Sequence, residues 1–531
     1  MTAPIVPFLA LRTDVLTRAL DARDARFDGV FFVGITTTRV YCRPVCPARV
    51  AYNDHRRFFR SAAAAERAGF RPCMRCRPEL APGLALMDAV PRLARAAALR
   101  IAAGALNGRT VADLARDLGV SERHLRRALE REVGVSPLEL AQTHRLLLAK
   151  QLLADTRLSV TRIAYSSGFQ SLRRFNAAFR EQYRMAPTAV RRASPSRDSQ
   201  KAPLPEEALH LTLAYRAPFA WDTLLEFLRS DAIAGVEIVD RARYSRTIEV
   251  DGRKGFVVVE NAPFESHGGR ADTRVRSNTG LARPVHTHAS HLNVAVSPSL
   301  VPVLMPLLAR LRHLFDLDAE PTVIDAHLVE SGLGALVTRR PGVRIPGAID
   351  GFDVALRALL RGRSRASRGM SRDPVRRAAW ALGEPIETGI PGLSRLAPSA
   401  ARVANAGCAR LEALGIPRIR ANAAVTVARL VADGKLRLEP GSDVAATRRA
   451  LTEIAGVGDQ VATTIMMRAL DWPDALSVTD PALQRGAQVS TARELRTQGE
   501  RWRPWRAYAT LHLWLQDEQD EELCANSRRA R

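Results

Sequence analysis

The spacing of hydrophobic residues changes several times along the chain. Residues 1–80 show no sustained period and are predicted to be irregular, apart from a few strand-like positions. From 89 to 192 apolar residues recur every three or four positions, which predicts helices. Residues 209–300 alternate as strands do, and helical spacing returns after about Asp325. The strand-like segments are 31–33 with Tyr41, 211–213, 248–250, 256–259 and 292–296.

These changes predict a multidomain α+β protein. The length of 531 residues is too great for one domain, and the stretch at 194–206 is rich in Ser, Pro and charge, as linkers are. The predicted units are a small cysteine module at 1–88, an all-α domain at 89–193, the linker, an α+β domain at 207–326 and a second all-α domain at 327–531.

Charge points to a polyanionic partner. Lys and Arg number 79 against 55 Asp and Glu, giving a net charge of +24, and nearly all the basic residues are Arg. The planar guanidinium group suits phosphates and guanine edges, which favours nucleic acid; a solvated surface with a codon preference for Arg is the alternative. No apolar stretch reaches the ~20 residues of a membrane span, and no signal peptide is evident. We therefore expect a cytoplasmic protein.

Four of the six cysteines lie within residues 42–76. Cys42-x3-Cys46 and Cys73-x2-Cys76 form two close pairs, an arrangement typical of one structural Zn²⁺ held by four thiolates. The Cys-Met-Arg-Cys pair alone would also suit a redox motif, but two pairs at this spacing favour zinc. Spacing by itself marks none of the sulfurs as reactive.

The residues around these cysteines carry a more specific signal. Tyr41-Cys42-Arg43-Pro44, Cys46-Pro-Ala-Arg49 and Ala68-Gly-Phe-Arg71-Pro72-Cys73 resemble the N-terminal domain of the Ada adaptive-response proteins, across about residues 5–80. The resemblance implies that the first zinc-held cysteine, Cys42, irreversibly takes a methyl group from a DNA methyl phosphotriester. It also implies DNA contacts by Thr38, Arg49 and Arg71.

Electrostatics make this chemistry coherent. Zinc keeps a thiol deprotonated, and the thiolate is the nucleophile. A Zn(Cys)₄ centre carries a net charge of about −2, which repels phosphodiesters but not a neutral methyl phosphotriester. Methylation removes one negative charge, so affinity for ordinary DNA should rise, as in an electrostatic switch.

The helical domain contains two similar helix–turn–helix patterns. Val111–Ser121 and Val160–Ser171 each place a Gly at the turn and a Ser at the next helix start. Together with Phe169, Phe175 and Phe179 as core residues, they resemble the AraC-family DNA-binding domain over about 92–193. The resemblance implies promoter DNA and RNA polymerase as partners. The candidate DNA-contacting residues, any of which is alternatively a solvated arginine, are Arg123, Arg126, Arg127, Arg173 and Arg174.

The C-terminal half carries a third resemblance. Leu451-x2-Ile454-Ala-Gly456-Val457-Gly458 resembles a helix-hairpin-helix turn, whose glycines let backbone amides approach a DNA phosphate. With Asp480 and the Trp-Arg-Pro-Trp-Arg run of 502–506, it resembles the AlkA-type 3-methyladenine DNA glycosylases over about 207–525. This implies a TBP-like α+β domain, an all-α helix-hairpin-helix domain, extrusion of the target base and a catalytic Asp480. The alternative for Asp480 is a plain helix cap before Pro481. Trp502, Trp505 and Tyr508 are candidate base-pocket residues.

Several positions depart from that glycosylase pattern. Ala455 replaces the usual Pro, Gln460 and Thr464 replace pocket aromatics, and Thr479 replaces an acidic residue. Arg361–Arg365 stands where the family carries a Gln-containing segment that enters the duplex. The Pro-Cys-His-Arg motif of full-length Ada proteins is absent, and Cys408 and Cys524 are predicted bystanders.

The combined prediction is a bacterial, nucleoid-associated fusion protein. It would join a zinc methyl acceptor, an AraC-like DNA-binding domain and a glycosylase that excises bases such as 3-methyladenine from double-stranded DNA. Two alternatives stay open. In one, the protein is a methylation-activated regulator whose glycosylase half only binds DNA; in the other, it is a zinc-stabilised DNA-binding protein without chemistry.

Overall fold

The computed structural model describes residues 12–48, 51–82, 92–193, 208–261, 290–361 and 373–529. The predicted linker at 194–206 and Arg49 lie outside these ranges. The fold class is the one that the sequence predicts, a multidomain α+β chain that begins with a small cysteine module. Among the described residues, no helix has the length and hydrophobicity needed to cross a bilayer.

The cysteine module is more regular than the sequence predicts. Its strands have only two to four residues, too short to show a period, but they form one sheet in the order β3-β1-β2-β4. The β2 and β4 strands are parallel, with Tyr41 opposite Pro72. Cys42 ends β2 and Cys73 follows β4, so this pairing brings both cysteines to one end of the sheet. The elements are α1 (Thr13–Asp21), β1 (Phe32–Ile35), β2 (Val40–Cys42), β3 (Arg56–Phe59), α2 (Ala62–Arg67) and β4 (Arg71–Pro72).

Seven helices follow, and both helix–turn–helix predictions hold. Gly119 and Gly168 adopt φ values of +68° and +88°, a left-handed conformation that costs glycine little. Ser121 and Ser171 cap the helices that follow by accepting from backbone N–H groups, as N-cap serines do. The helices are α3 (Arg92–Ala102), α4 (Val111–Asp117), α5 (Glu122–Glu132), α6 (Pro137–Asp155), α7 (Val160–Ser166), α8 (Leu172–Tyr183) and α9 (Pro187–Ala193).

The third region is a five-stranded antiparallel sheet with helices. Its order is β5-β9-β8-β7-β6, and the predicted strands are all present. The α10 helix was not predicted, although Trp221, Leu224, Leu225 and Leu228 have helical spacing and are buried. The elements are β5 (Leu209–Ala214), α10 (Trp221–Asp231), β6 (Glu237–Val239), β7 (Arg243–Val250), β8 (Arg253–Glu260), β9 (His291–Val296) and α11 (Leu304–Leu314).

The remainder is helical, as predicted. Its elements are α12 (Pro321–Leu328), α13 (Gly334–Arg339), α14 (Gly351–Arg361), α15 (Pro374–Leu382), α16 (Ala400–Ala413), α17 (Arg418–Ala432), α18 (Val444–Thr452), α19 (Asp459–Ala469), α20 (Pro481–Gly486), α21 (Ala492–Gly499) and α22 (Arg506–Arg529).

The regions share cores rather than standing apart. Phe175 and Phe179 of α8 belong to the same buried hydrophobic cluster as Leu211 of β5 and Leu308 of α11. Phe175 and Phe179 are fully buried and Phe169 nearly so, which confirms them as core residues. The second helix–turn–helix unit is therefore packed directly against the five-stranded sheet domain.

Candidate functional site

The four cysteines of the N-terminal module converge on one point. Their sulfur atoms all lie within 4.8 Å of one another. Four sulfurs at the ~2.3 Å Zn–S distance of a tetrahedral site are about 3.8 Å apart, so the donor set and its spacing fit Zn²⁺. The cysteines are buried, as expected of a closed structural site. Cys42, Cys46, Cys73 and Cys76 thus form the zinc site that the sequence predicts.

Hydrogen bonds distinguish the sulfurs from one another. The backbone N–H of Arg43 donates to Cys76 Sγ, and that of Arg75 donates to Cys73 Sγ, both at 3.4 Å. Such bonds draw electron density from a thiolate and make it a weaker nucleophile. Among the described residues, no backbone donor reaches Cys42 Sγ.

The Arg43 side chain is part of the same site. It is 4% exposed, its Nε donates to Asp28 Oδ1 at 2.8 Å, and its Nη1 donates to the Cys76 carbonyl at 3.1 Å. A buried guanidinium without a carboxylate would be costly, so Asp28 and Arg43 stabilise the loop that carries Cys42 and Cys46.

Two of the three predicted DNA contacts of this module lie near Cys42. Thr38 is exposed in the turn between β1 and β2. Arg71 is half-buried on β4, where it pairs with Val40. Thr38 thus precedes Cys42 by four residues, and Arg71 lies beside Val40, which precedes Cys42 by two.

The predicted arginines of the helix–turn–helix units are mostly free to contact DNA. Arg123 and Arg127 on α5 and Arg173 and Arg174 on α8 are exposed. Arg126 is half-buried and its Nε donates to Glu122 Oε1 at 2.9 Å, so a phosphate would have to compete with that carboxylate.

The hairpin between α18 and α19 has the backbone that close DNA approach requires. Gly456 has φ +94°, and a Cβ there would lie 3.0 Å from the Ile419 carbonyl. Gly458 caps α19, and none of the described residues has an atom within 4 Å of its Cβ position. The N-terminus of α19 is thus open for a phosphate.

Asp480 is buried and has two hydrogen-bond partners. It is 3% exposed, and its Oδ1 accepts from the Ala482 N–H at 2.9 Å, which makes it the N-cap of α20. Its Oδ2 accepts from Trp514 Nε1 at 3.1 Å. Asp480 is therefore an N-cap through one oxygen, and Trp514 holds the other.

Trp514 is the residue that sequence reasoning missed. It lies on α22, beyond the Trp-Arg-Pro-Trp-Arg run, and it is half-buried. The Arg485 side chain of α20 also binds Asp517 of α22, with contacts of 2.7 and 2.8 Å. These contacts hold α22 against α20 and fix the indole beside Asp480. The available signal was a further Trp close behind the Trp-Arg-Pro-Trp-Arg run.

The three predicted pocket aromatics lie in the core instead. Trp502, Trp505 and Tyr508 are at most 2% exposed and belong to one buried cluster. The Tyr508 hydroxyl donates to Asp316 Oδ2 at 2.8 Å, and burial raises the pKa of Asp316 to about 7. An extruded base could not stack on rings packed in this way, which corrects the pocket expectation.

The positions that depart from the glycosylase pattern are now located. Gln460 and Thr464 are half-buried on α19, where Thr464 Oγ1 donates to the Gln460 carbonyl at 2.9 Å. Thr479 is exposed. Cys408 is half-buried and donates to Glu412 Oε1 at 3.0 Å.

Arg361, which stands where the glycosylase family carries its Gln-containing segment, is buried. It is 6% exposed and its guanidinium donates to Asp373 Oδ2 at 2.8 Å. It belongs to a buried network of four acidic and four basic side chains that joins the sheet domain to the C-terminal helices: Asp231, Glu237, Asp353, Asp373, Arg246, Arg357, Arg361 and Arg468. Residues 362–365 lie outside the described ranges.

Three family models match the chain: the metal binding domain of Ada over residues 16–79, a helix-turn-helix domain over 114–193 and the AlkA N-terminal domain over 210–350. Over 502 residues it is 33% identical to a probable bifunctional transcriptional activator/DNA repair enzyme AlkA of Mycobacterium tuberculosis, covering 94% of this chain and 95% of that protein. The chain belongs to this family of bifunctional activator/repair enzymes.

Two further relatives each match one part of this bifunctional chain. DNA-3-methyladenine glycosylase 2 of Escherichia coli is 30% identical over 57% of this chain and 96% of its own length. The Escherichia coli bifunctional transcriptional activator/DNA repair enzyme Ada is 33% identical over 30% of this chain and 43% of its own length. The family resemblances stated from the sequence are thus confirmed, and the bifunctional enzyme combines transcription regulation with DNA repair.

Proposed function

We propose that Cys42 takes the methyl group of a DNA methyl phosphotriester, and that Asp480 supports excision of alkylated bases such as 3-methyladenine. The observation that carries the first assignment is the four-sulfur cluster in which Cys73 and Cys76 accept backbone N–H groups and Cys42 accepts none among the described residues. These contacts leave Cys42 as a candidate nucleophile, and its Ada-like context Tyr41-Cys42-Arg43-Pro44 selects it over Cys46.

The transfer is a direct displacement. Zn²⁺, when bound, keeps the cysteine sulfurs deprotonated at neutral pH. The lone pair of Cys42 Sγ attacks the methyl carbon of the triester and forms an S–C bond. The O–C bond breaks, and its electron pair stays on the phosphate oxygen, which becomes an ordinary phosphodiester anion. A neutral thioether is a poor methyl donor to a phosphodiester anion, so the acceptor is used once.

Methylation of Cys42 also changes how the protein meets undamaged DNA. It removes one negative charge from the four-sulfur site and so weakens repulsion of phosphodiesters nearby. Thr38, Arg49 and Arg71 would contact the backbone around the damaged phosphate. Arg123, Arg126, Arg127, Arg173 and Arg174 would bind promoter DNA through the two helix–turn–helix units, with RNA polymerase as the partner that responds. The place of action would be the bacterial nucleoid.

Base excision would occur in the C-terminal half. Gly456 and Gly458 would hold the DNA backbone while the target base leaves the stack. The C1′–N bond breaks and its electron pair moves to the alkylated base, which leaves as a neutral molecule. The Asp480 carboxylate stabilises the positive charge that develops on the sugar, and water then attacks C1′ and loses a proton.

Two observations favour a second candidate, in which this half only binds DNA. Both oxygens of Asp480 already have partners, Ala482 and Trp514, and the three predicted pocket aromatics are core residues. In that case the protein would be a methylation-activated regulator with an inactive glycosylase half.

Mass spectrometry after incubation with methylated double-stranded DNA tests the acceptor. The mass of one methyl group is expected on the peptide that contains Cys42, and none is expected in Cys42→Ser. Cys408→Ser is the matched control, since its thiol lies outside the cluster and should not matter. A methyl group on Cys46, Cys73 or Cys76 in the unaltered protein would overturn the assignment.

A further inference from the structure

A second contact joins the two helices that carry Asp480 and Trp514. Asp480 is the N-cap of α20, and Trp514 lies on α22. Close to one turn beyond Trp514, Asp517 accepts from the Arg485 guanidinium of α20, with Nε to Oδ1 at 2.7 Å and Nη2 to Oδ2 at 2.8 Å. Arg485 and Asp517 are called the α20–α22 clamp below.

The clamp fixes the orientation of its two side chains as well as their distance. Two guanidinium N–H groups meet the two carboxylate oxygens, which is the geometrically specific form of an arginine–carboxylate pair. The Asp517 side chain is 7% exposed and that of Arg485 is 56% exposed, so the cation reaches a buried carboxylate from the surface. A buried carboxylate is costly without its cation, and the position of Asp517 on α22 is therefore tied to that of Arg485 on α20.

The backbones of the two helices also meet directly. A Cβ at Gly486, the last residue of α20, would lie 2.5 Å from the carbonyl oxygen of Leu513, the residue before Trp514. Glycine permits such a close approach of two backbones because it has no Cβ. The helix that carries Asp480 thus touches α22 beside Trp514, and a shift of either helix changes the distance between these two side chains.

The clamp and the Asp480–Trp514 hydrogen bond are separate connections between the same pair of helices. Arg485 follows Asp480 by about 7.5 Å along α20, and Asp517 follows Trp514 by about 4.5 Å along α22, at ~1.5 Å per residue. A single connection would let the helices pivot about it, whereas two connections at this separation fix the angle between them. The 3.1 Å hydrogen bond from Trp514 Nε1 to Asp480 Oδ2 therefore depends on the clamp for its geometry.

We propose that Arg485 and Asp517 are positioning residues for base excision, which act by holding Trp514 against the Asp480 carboxylate. The carboxylate has to stand where positive charge develops on the sugar, and a misplacement of about 1 Å can cost about 100-fold in rate. The clamp acts on this chemical step alone, so DNA affinity should not depend on it. The inference rests on the proposed catalytic role of Asp480.

The test is single-turnover release of bases from methylated double-stranded DNA by the full chain, at saturating protein. Arg485→Gln removes the cation that pairs with the Asp517 carboxylate and should slow release by about tenfold or more. Asp155→Asn is the matched control, because Arg77 holds the Asp155 carboxylate in the same two-point manner, at 2.8 and 3.0 Å, and its side chain is 6% exposed. This control lies in the N-terminal half and should leave the release rate unchanged.

Two further variants separate positioning from general loss of structure, with DNA affinity and urea unfolding recorded on each. In Trp514→Phe the hydrogen bond that the clamp orients is absent, so adding Arg485→Gln should slow release no further. A further loss of rate in that background, or weaker DNA binding by Arg485→Gln alone, would overturn the inference. Arg485→Lys keeps a cation beside Asp517 and should retain more of the rate than Arg485→Gln; equal rates would also overturn it.

The same assay distinguishes failure of this inference from failure of the proposed function. If Asp480→Asn loses base release and Arg485→Gln releases bases at the unaltered rate, the clamp is not a positioning device and the proposed function stands. If Asp480→Asn also releases bases at the unaltered rate, or the unaltered chain releases none, the catalytic role of Asp480 is wrong and the positioning role fails with it.

Discussion

Replacement of Asp480 separates a catalytic carboxylate from a helix cap. Asn and Ser are N-caps as good as Asp, whereas Ala is not. Asp480→Asn and Asp480→Ser should therefore keep α20 folded. In Asn, however, the amide NH₂ group replaces the oxygen that accepts from Trp514 Nε1, so that hydrogen bond is lost at a cost of about 1 kcal/mol. Asp480→Ala should lose both the cap and the hydrogen bond from Trp514, at about 2–4 kcal/mol.

The size of the catalytic effect follows from burial. Asp480 is 3% exposed, so an effective dielectric constant of about 20 applies, and a carboxylate ~4 Å from the developing sugar charge is worth about 4 kcal/mol. That corresponds to a loss of roughly 10³-fold in excision rate for each of the three variants. In bulk water the same pair would be worth only about 1 kcal/mol, or about fivefold.

The excision rate is measured as single-turnover release of bases from methylated double-stranded DNA. Urea unfolding and DNA affinity are recorded on the same samples. The expected result is that the Asn, Ser and Ala variants all lose excision, while the Asn and Ser variants keep DNA binding and lose no more than about 1 kcal/mol of stability. If excision instead follows the cap, so that the Asn and Ser variants stay active and only the Ala variant fails, Asp480 is structural and the reasoning is refuted.

Three further predictions concern other parts of the molecule. The full chain should hold one Zn²⁺, measured by metal analysis, and the Cys73→Ala/Cys76→Ala variant should hold none; an unchanged zinc content would contradict the assigned ligands. Burial raises the pKa of Glu66 from 4.5 to about 7, so between these pH values the folded state keeps a proton that the unfolded state releases. The free energy of unfolding should therefore fall by up to about 3 kcal/mol as the pH rises from 4.5 to 7. Urea unfolding of Glu66→Gln should lack this decline, and an identical decline would exclude Glu66 as its source. Gly456→Ala should lower the free energy of unfolding by about 1–2 kcal/mol, because residue 456 has a positive φ. Gly458→Ala should keep thermal stability and weaken DNA binding. Equal stability of the two variants would argue against the hairpin geometry.

Local chemistry in this chain could be predicted from sequence. The cysteine spacing, the two turn glycines and the serine caps depend on residues a few positions apart, and the structure has all of them where the pattern puts them. Asp480 as an N-cap before Pro481 is of the same kind. The short strands of the cysteine module could not be predicted, because two to four residues are too few to show a period.

Contacts between distant segments could not be predicted either. The hydrogen bond from Trp514 to Asp480 depends on how α22 packs against α20, and nothing in the spacing of the two residues encodes that packing. Trp502 and Trp505 illustrate the opposite error, since a Trp-rich run suggested a pocket and the rings fill the core. Arg361 has a basic sequence context but is neutralised by Asp231 and Asp373, two carboxylates that come from different parts of the chain.

The central claim is that one chain carries both chemistries at two separate sites. A single reaction tests it: the zinc-loaded full chain is incubated with methylated double-stranded DNA, free bases are separated by chromatography, and the protein is then digested for mass spectrometry. The prediction is released alkylated purine together with one methyl group on Cys42, with Cys42→Ser losing only the methyl transfer and Asp480→Asn losing only the base release. Loss of both activities in either variant, or a methylated Cys42 with no base released by the unaltered protein, would contradict the account.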